Sequence, residues 1–346
     1  MIRDAAKRDY VIVGAGAIGG TLAFHLARAG HPVLAVDVDS AHVAAIRARG
    51  ITIVRDGVRE SVRVPVATPR EAVVHEAPRV LLCVKGVGST EKAAEWIAPR
   101  LAPHGVVVSV QNGLQTRRIA DRVGFGRTVG AFVDFFADVV EPGLIEDGGA
   151  GMLMVGEVDG ACSERVDEIV ADLQAWGPAR ATRNIAGFLW AKLGFSAMLA
   201  ATALADAPMA ELIDRHRDLM LALVREVFAV AEHEGINLES FDSFDPAALS
   251  AKSARGDIGI GQLVAWLKTQ GKTRSGVWRD IAIHHRPTEA AGRYSEVIAA
   301  AERAGLPSPN LRALVEILRE VEAGARAMSE RNLEDLRRKA AAPASA

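Results

Sequence analysis

Cysteine is scarce in this chain of 346 residues, since Cys83 and Cys162 are too few for a disulfide framework or a cysteine-built zinc site. An excess of basic charge is also missing, because 41 basic residues stand against 43 acidic ones and the formal net charge is −2. The sequence therefore predicts no nucleic-acid partner. No apolar run approaches the roughly 20 residues that span a bilayer, and the first residues lack a signal-peptide core. We expect a soluble, cytoplasmic protein with no membrane partner.

The composition that remains is typical of a globular protein. Hydrophobic residues make up 49% of the chain and charged residues 24%. The length suggests about two domains of roughly 150 residues each. The nine histidines show none of the spacings that bind metals, so we expect no metal cofactor.

Short apolar runs alternate with helical patterns in the first half of the chain. The runs that indicate buried strands lie at 10–13, 32–36, 80–84, 106–110 and 128–132. Such alternation is typical of a parallel sheet covered by helices on both faces. It predicts an α/β fold whose first domain, residues 1–178, is a doubly wound parallel sheet.

From residue 183 onward the apolar period is that of helices. Helical periodicity covers 185–204, 209–234, 288–304 and 311–325, and loop-like breaks lie at 241–246 and 253–261. The pattern predicts an all-helical C-terminal domain over 183–335 and a disordered tail over 336–346. Two questions stay open: whether 250–272 is a lid, and whether 209–234 packs internally or forms a homodimer interface in the helical domain.

A glycine-rich segment follows the first predicted strand directly and opens a helix. Gly14 permits a tight turn, Gly16 lets the backbone approach a pyrophosphate, and Gly19 lets helix and strand pack closely. The free N–H groups at the start of the helix would then face the phosphates. The segment predicts a Rossmann-type dinucleotide site with contacts from Gly14, Ala15, Gly16, Ala17, Ile18 and Gly19.

The residue at the end of the second strand bears on the choice of nicotinamide cofactor. Asp37 lies 18 residues after Gly19, where a carboxylate accepts hydrogen bonds from the adenosine ribose. The same carboxylate would repel a 2′-phosphate, so the sequence favours NAD(H). NADP(H) is not excluded, because Arg47 or Arg49 would be able to reach back from the next helix.

Several short motifs occur along the chain in an order that resembles the ketopantoate reductase (2-dehydropantoate 2-reductase) family, as a divergent branch. No single motif is specific, but the order and spacing together are. After the glycine segment the matching motifs are Lys85 at the end of an apolar run, Gln111-Asn112-Gly113, Pro142-Gly143, Gly156-Glu157, Trp190-Ala191-Lys192, Asp280, Thr288-Glu289 and Pro309-Asn310.

The resemblance implies a Rossmann domain and a helical domain that enclose an active site. The family reduces a branched 2-oxo acid, ketopantoate to pantoate in pantothenate biosynthesis, with hydride from a nicotinamide. Its essential lysine corresponds to Lys192 and its glutamate to Glu289, as catalytic residues. Lys85 and Asn112 correspond to positions that support cofactor and substrate.

The residues themselves agree on Lys192. The surrounding helix is apolar on nearly every side, so this lysine either extends to solvent or lines a cavity. Partial desolvation in a cavity lowers the pKa of a lysine and makes it a better proton donor to a developing alkoxide. Glu289 either favours its own helix as a first-turn carboxylate or orients Lys192. Lys85 and Asn112 have ordinary interpretations too, as a strand terminus and an Asn-Gly turn.

The resemblance breaks at the predicted substrate contacts. The family carries asparagines four and eight residues after the lysine, where this chain has Ser196 and Ala200. The family serine before Asp280 is shifted, so that Ser275 is the candidate. Arg274 is a candidate for the substrate carboxylate, and the alternative is a solvated basic loop.

The sequence therefore leaves three candidate functions. The first is an NAD(P)H-dependent reductase of a branched 2-oxo acid, with Lys192 as the proton donor. The second is an NAD-dependent dehydrogenase of another 2-hydroxy or sugar-derived acid, favoured by Asp37 and the two lost asparagines. The third is a nicotinamide-binding sensor without catalysis, which Lys192 and Glu289 argue against.

Overall fold

The computed structural model describes residues 9–149 and 151–342, and the chain divides into two compact units. The first unit extends to Ile185 and the second begins at Ala186. An α/β unit followed by a helical unit confirms the predicted fold class.

The first unit alternates strands with helices. Its strands are β1 (Tyr10–Val13), β2 (Val33–Val36), β3 (Ile51–Arg55), β4 (Val58–Val62), β5 (Val66–Ala67), β6 (Ala77–Leu82), β7 (Leu101–Ser109), β8 (Thr128–Asp134), β9 (Ala137–Glu141), β10 (Leu144–Asp147), β11 (Met152–Glu157) and β12 (Ala179–Ala181). Its helices are α1 (Ala17–Arg28), α2 (Ser40–Arg49), α3 (Val87–Ile97), α4 (Thr116–Val123) and α5 (Glu164–Leu173).

The main sheet has eight strands in the order β12-β11-β8-β7-β6-β1-β2-β5. Strands β5, β2, β1, β6, β7 and β8 are parallel, and β11 runs antiparallel to β8. The sheet is therefore mixed, whereas the sequence predicted a parallel one. The chain order reverses at β1, which has β2 on one side and β6 on the other, and ligands of such sheets bind beyond the carboxyl ends of the strands at this reversal.

A second sheet was not predicted from the sequence. It has four strands in the order β4-β3-β10-β9. Strands β3 and β4 form a hairpin whose turn holds Asp56 and Gly57, both with positive φ. Asp-Gly between alternating residues is a strong hairpin signal. The outer strand β4 is almost fully exposed, so it lacks the apolar run that marked the strands of the main sheet.

The second unit is built from helices. They are α6 (Ile185–Thr202), α7 (Met209–Arg215), α8 (Arg217–His233), α9 (Pro246–Leu249), α10 (Gly256–Thr269), α11 (Gly276–Ala282), α12 (Ala290–Arg303), α13 (Pro309–Glu322) and α14 (Arg331–Ala341).

Two expectations about these helices are corrected by the structure. The single helix expected over 209–234 breaks at His216, whose φ of −120° and ψ of 38° are not helical. The loop expected at 253–261 is largely the start of α10, which is anchored by the buried Leu263 and Leu267. Residues 250–272, the segment considered as a lid, are therefore mostly this packed helix.

The tail expected over 336–346 is corrected as well. Helix α14 continues to Ala341, because Leu333 and Leu336 are both fully buried and fix its inner face. Arg337 pairs with Asp218 at 2.7 Å on the outer side. Residues 343–346 of the expected tail lie outside the described residues.

Helix α6 is long and apolar enough to meet the length and composition of a membrane span, with a mean hydropathy of 1.4 over 18 residues. However, 78% of that window is buried inside the protein. It is not a clear membrane span, because a core helix passes the same test.

Candidate functional site

The loop between β1 and α1 has a shape that only glycine permits at two positions. Gly14 has a φ of +93°, and a Cβ there would lie 2.8 Å from the backbone nitrogen of Val84. A Cβ on Gly19 would lie 1.9 Å from the carbonyl oxygen of Gly14. Both contacts are closer than atoms can approach, so the tight turn expected at Gly14 and the close packing expected at Gly19 both require glycine.

Gly16 differs from both, because a Cβ added there would meet nothing within 4 Å. It is the N-cap of α1, has no side chain to satisfy the helix N–H groups, and is followed by the half-buried Ala17 and Ile18. Open space in front of a free helix N-terminus fits the pyrophosphate of a dinucleotide. The loop therefore fits the cofactor that the sequence predicted.

Asp37 directly follows β2, and its carboxylate is hydrogen-bonded to this loop. One carboxylate oxygen accepts the backbone N–H of Ala15 at 2.7 Å, and the other accepts the N–H of Asp39 at 2.9 Å. Each carboxylate oxygen has a second lone pair, so both remain able to accept from ribose hydroxyls. Asp37 thus shapes the loop as well as presenting negative charge beside it.

The two arginines considered for a 2′-phosphate already have partners. Arg47 donates to the Glu71 carboxylate at 3.0 Å, and Arg49 donates to the carbonyl oxygen of Pro142 at 3.0 Å. Hydrogen bonds from Thr68 and then from Arg47 lower the pKa of Glu71, so this carboxylate stays ionised. A phosphate would compete with Glu71 for Arg47.

Lys85 and Asn112 lie beyond neighbouring strands, at the same carboxyl edge as the glycine loop. Strand β6 ends at Leu82, so Lys85 lies three residues into the following loop instead of ending the strand. Both side chains are exposed. Their placement at this edge is compatible with a cofactor or substrate contact.

Gln111 supports this edge from within, a role the sequence analysis did not assign. Its buried amide nitrogen donates to the carbonyl oxygen of Val84 at 2.9 Å and to the Thr90 hydroxyl at 2.6 Å. The Thr90 hydroxyl in turn donates to the carbonyl oxygen of Gly86 at 3.0 Å. Gln111 therefore holds the loop that carries Lys85. Its position next to Asn112 in one motif is the signal from which this role would have been predictable.

The described part of the chain holds no group of three or more histidine, cysteine, aspartate or glutamate residues that is placed to bind a metal. Burial raises the pKa of the Cys83 thiol, so it stays protonated. Its Cβ would lie 3.0 Å from a Cβ on Gly19, which makes it a packing residue beneath the loop.

In the second unit two candidate residues, Lys192 and Ser196, lie on helix α6. Between residues 187 and 202 every residue is buried except Lys192, Ser196 and Leu199, which are half-buried. Their spacing of four and three residues puts them on one face of the helix. Ala200, the position of the second family asparagine, is fully buried. Lys192 and Ser196 are thus the polar groups of the one face of α6 that the core leaves accessible.

Two close contacts fix the rotation of α6 and hence the direction of that face. A Cβ on Gly194 would lie 2.5 Å from the Phe228 ring, so α6 and α8 approach closely there. The buried hydroxyl of Tyr294, on α12, donates to the carbonyl oxygen of Leu193 at 3.1 Å. Because Leu193 is next to Lys192, this hydrogen bond ties the first turns of α12 to the lysine's part of α6.

Glu289 is the N-cap residue of α12, five residues before Tyr294. Its carboxylate lies 3.5 Å from the Arg293 guanidinium, and its side chain is 27% exposed. Thr288 has the capping function instead, because its hydroxyl accepts the N–H of Ala290 at 3.2 Å. The carboxylate of Glu289 is therefore not used to cap its helix.

Ser275 and Arg274, the remaining candidates of the second unit, both have structural partners. The hydroxyl of Ser275 is buried and accepts the N–H of Trp278 at 3.1 Å as the N-cap of α11. Arg274 donates to Asp206 at 3.2 Å, and its guanidinium lies 5.3 Å from the centre of the Trp278 ring. Arg274 is therefore an ordered side chain, 25% exposed, instead of a freely solvated one.

Residues of two family-like motifs, Glu157 and Asn310, have structural roles. Burial acts against the charge of Glu157, yet hydrogen bonds from Arg165 and Ser163 hold the pKa of its carboxyl below the usual value. The carboxylate of Glu226 accepts the backbone and side-chain N–H groups of Asn310 at 2.8 and 2.7 Å, at the start of α13. Glu157 and Asn310 therefore stabilise the units that carry the site.

Two family models match most of the chain. The model described as ketopantoate reductase PanE/ApbA matches residues 10–160, and its C-terminal counterpart matches residues 184–322. A 2-dehydropantoate 2-reductase from Mesorhizobium japonicum is 27% identical over 89% of this chain and 96% of its own length. Another from Pyrococcus abyssi is 30% identical over 68% of this chain and 75% of its own length.

Two solved structures are also similar to this chain. A ketopantoate reductase from Ralstonia eutropha is 27% identical, with a TM-score of 0.76 over 91% of this chain and 99% of its own. A D-mandelate dehydrogenase solved with NADH and anilino(oxo)acetate has a TM-score of 0.78 over 91% of this chain and 99% of its own. Its identity of 20% shows a shared fold alone.

Proposed function

The chain belongs to the ketopantoate reductase family, and from that premise we propose that it reduces the keto group of a branched 2-oxo acid, with ketopantoate as the leading substrate. Family membership makes the chain an oxidoreductase that acts on a CH–OH group and supports a nicotinamide cofactor. In this proposal residues 1–178 bind the dinucleotide, and residues 183–335 supply the catalytic side chains.

Lys192 is the proposed proton donor. The observation that carries the proposal is the face of α6, where Lys192 is half-buried in a helix that is otherwise packed into the core. A nicotinamide, when bound, supplies the hydride to the carbonyl carbon. The Lys192 ammonium first attracts the carbonyl oxygen and then gives its proton to the alkoxide as charge develops there.

The other candidates assist Lys192 in this scheme. Glu289 orients the ammonium or accepts a substrate hydroxyl, since its carboxylate is not engaged in capping α12. Ser196, one turn after Lys192 on the same face, donates a hydrogen bond to the substrate. Asn112 and Lys85 contact the cofactor or substrate from the carboxyl edge of the main sheet.

Arg274 and Ser275 are proposed to recognise the substrate carboxylate. Two asparagines of the family pattern are absent at Ser196 and Ala200, so another donor has to replace them. Arg274 still has donor groups beyond its single hydrogen bond to Asp206, because a guanidinium has five N–H groups.

NAD(H) is the proposed cofactor in preference to NADP(H). Asp37 presents a carboxylate at the ribose position, and Asp39 adds a second one two residues later. A 2′-phosphate would meet this charge and would have to displace Glu71 from Arg47.

A second candidate function is the NAD-dependent oxidation of another 2-hydroxy acid. The short hydroxyl of Ser196 on the accessible face of α6 favours it, because a hydroxyl leaves more room for a substrate than an asparagine amide. The D-mandelate dehydrogenase that shares this fold was solved with NADH and an aromatic oxo acid analogue. A sensor without catalysis is the least supported function, since it would need neither Lys192 nor Glu289.

The test is the initial rate of dinucleotide oxidation with ketopantoate, run in parallel with NADH and NADPH. We expect turnover with both dinucleotides to be measurable and NADH to have the higher kcat/KM. A preference for NADPH would contradict the role of Asp37. No turnover of ketopantoate, with turnover of another 2-oxo acid, would favour the second candidate function.

Two further expectations stay predictions: a cytoplasmic location, and a homodimer formed through the helical unit. Light scattering after size exclusion would measure the dimer directly. A monomer at micromolar concentration would contradict it.

A further inference from the structure

We propose that His42 is a positioning residue for the dinucleotide, because it fixes the peptide group of the glycine loop whose N–H faces the pyrophosphate. The inference rests on the dinucleotide site of the proposed function. No motif of the sequence contains His42, and its role follows from two hydrogen bonds in the first unit.

His42 lies in the first turn of α2 and is only 5% exposed. Its Nε2 is 2.9 Å from the carbonyl oxygen of Ala15, in the glycine loop. Its Nδ1 accepts the backbone N–H of Gly143 at 3.2 Å. One buried ring thus connects the glycine loop to the turn between β9 and β10.

The contact with Gly143 fixes the tautomer of the ring. A backbone N–H is only a donor, so Nδ1 must be unprotonated to accept it. The proton of the neutral imidazole is then on Nε2, and His42 donates to the Ala15 carbonyl oxygen. Both ring nitrogens are satisfied, as a buried histidine requires.

The Ala15 carbonyl belongs to the same planar peptide group as the N–H of Gly16. In a trans peptide these two bonds point in opposite directions. When His42 holds the carbonyl oxygen on the buried side, the N–H of Gly16 points to the opposite side, and a Cβ on Gly16 would meet nothing within 4 Å. That is the direction from which a pyrophosphate would approach.

Asp37 holds the preceding peptide group in the same way, through the N–H of Ala15 at 2.7 Å. Asp37 and His42 therefore lock two consecutive peptide groups of the loop. A loop that is fixed before the ligand arrives loses less conformational entropy on binding, so its affinity is higher. Removal of His42 releases the peptide that carries the Gly16 N–H.

The turn on the far side of the ring gives His42 a rigid support. Gly143 has a φ of +78°, and its carbonyl oxygen accepts the N–H of Thr52 at 2.9 Å. The carbonyl oxygen of Pro142 accepts Arg49 of α2 at 3.0 Å. The second sheet therefore braces the helix that carries His42.

Three substitutions separate the two hydrogen bonds of the ring. The amide nitrogen of a glutamine can replace Nε2 and donate to the Ala15 oxygen, so H42Q restores the contact with the loop. The amide oxygen of an asparagine can replace Nδ1 and accept from Gly143, so H42N restores only the contact with the turn. H42A removes both. H25A is the matched control, because His25 is 6% exposed, lies in the same unit and has no hydrogen bond to the loop.

The measurements are the Kd for NADH by fluorescence titration, together with KM, kcat and Tm. We expect H42A and H42N to raise the Kd and the dinucleotide KM by about tenfold, the size of one lost hydrogen bond to a buried group. We expect H42A and H42N to weaken dinucleotide binding more than they lower kcat. H42Q should bind within about threefold of the wild type, and H25A should lower the Tm without raising the Kd.

Three results would overturn the inference. They are an unchanged Kd in H42A, an H42N variant that binds as well as H42Q, and an equal rise in Kd for H25A. In each of these cases the wild type still binds NADH, so the proposed function stands. A wild type with no affinity for NADH or NADPH overturns the proposed function and this inference together.

Discussion

The two units carry their candidate sites in different chemical groups. In the first unit the backbone forms the candidate site, because the N–H groups of the glycine loop would bind the pyrophosphate and Gly14 and Gly19 only permit the shape of the loop. In the second unit the side chains form the site, on the face of α6 that carries Lys192 and Ser196. The first unit should therefore control the affinity for the dinucleotide, and the second unit should control the rate of the chemical step.

The largest expected effect is on the chemical step. K192A should lower kcat by about 10²–10⁴-fold, the range for loss of a general acid, and leave the Kd for NADH unchanged. Steady-state rates with saturating dinucleotide would measure it. K252A is the control, since Lys252 is 75% exposed and pairs with Glu232 in the same unit. A K192A variant no slower than K252A would break the assignment of chemistry to the second unit.

The next largest effect is on stability, and it distinguishes Gly19 from Gly16 in the same loop. G19A should destabilise the first unit by about 3 kcal/mol, because its Cβ would lie 1.9 Å from the carbonyl oxygen of Gly14. G16A should fold with an unchanged Tm, since nothing lies within 4 Å of that Cβ, yet it should raise the Kd for NADH. Thermal unfolding and NADH titration would measure both. Equal stability losses would contradict the distinct roles of the two positions.

The effect expected at Asp37 is smaller and concerns the choice between NADH and NADPH. D37N keeps an acceptor for the N–H of Ala15 and removes the negative charge. We expect about a tenfold loss of affinity for NADH, from the loss of a charge-assisted hydrogen bond, and a gain in affinity for NADPH. The ratio of the two Kd values is the measurement. An unchanged ratio would remove Asp37 as the selector of the cofactor.

The glycine loop was predictable from the sequence because its constraints are local. A strand, the turn at Gly14 and the packing at Gly19 follow one another within a few residues, and only glycine satisfies them. Five strands of the main sheet (β1, β2, β6, β7 and β8) were predictable for a similar reason, since burial on both faces gives continuous apolar runs. Strands β5, β11 and β12 were not predicted. Helix α6 showed the same signal, and the family resemblance singled out Lys192 within it.

The other features of the fold and of the candidate site depended on contacts that a sequence pattern does not show. His42 contacts Ala15 and Gly143, which are 27 and 101 residues away along the chain. The second sheet was missed because β4 is exposed and has no apolar run. The break at His216 was missed because apolar residues continue on both sides of it.

The stability of the first unit should depend on pH through His25. Burial, and then the charge of Arg28, lowers the pKa of this histidine from 6.5 to about 4. Between these values the unfolded chain binds a proton that the folded chain does not. The free energy of unfolding should therefore fall as the pH drops from 6.5 to 4, by up to about 1.4 kcal/mol per pH unit.

H25L removes this contribution without removing the apolar contacts of the site. Urea unfolding at pH 7, 6 and 5 should give a shallower pH dependence for H25L than for the wild type. Parallel curves for the two proteins would mean that His25 is not buried in its neutral form. The expected change concerns the first unit alone, because His25 lies in α1.

The smallest expected effect concerns substrate recognition in the second unit. R274A should raise the KM for the 2-oxo acid about threefold to tenfold, as one hydrogen bond to a carboxylate is lost, and change the Kd for NADH little. R312A is the control, because Arg312 pairs with Glu302 at an exposed position of the same unit. An unchanged KM would remove Arg274 from the substrate site.

The division between the units is tested most directly by single-turnover rates and NADH titrations on K192A and G16A side by side. We predict that K192A binds NADH as the wild type does, while its rate for a single hydride transfer falls by at least about 10²-fold. We predict the reverse for G16A, with weaker binding and a rate at saturating NADH that stays near that of the wild type. A K192A variant that transfers hydride at the wild-type rate would contradict the account.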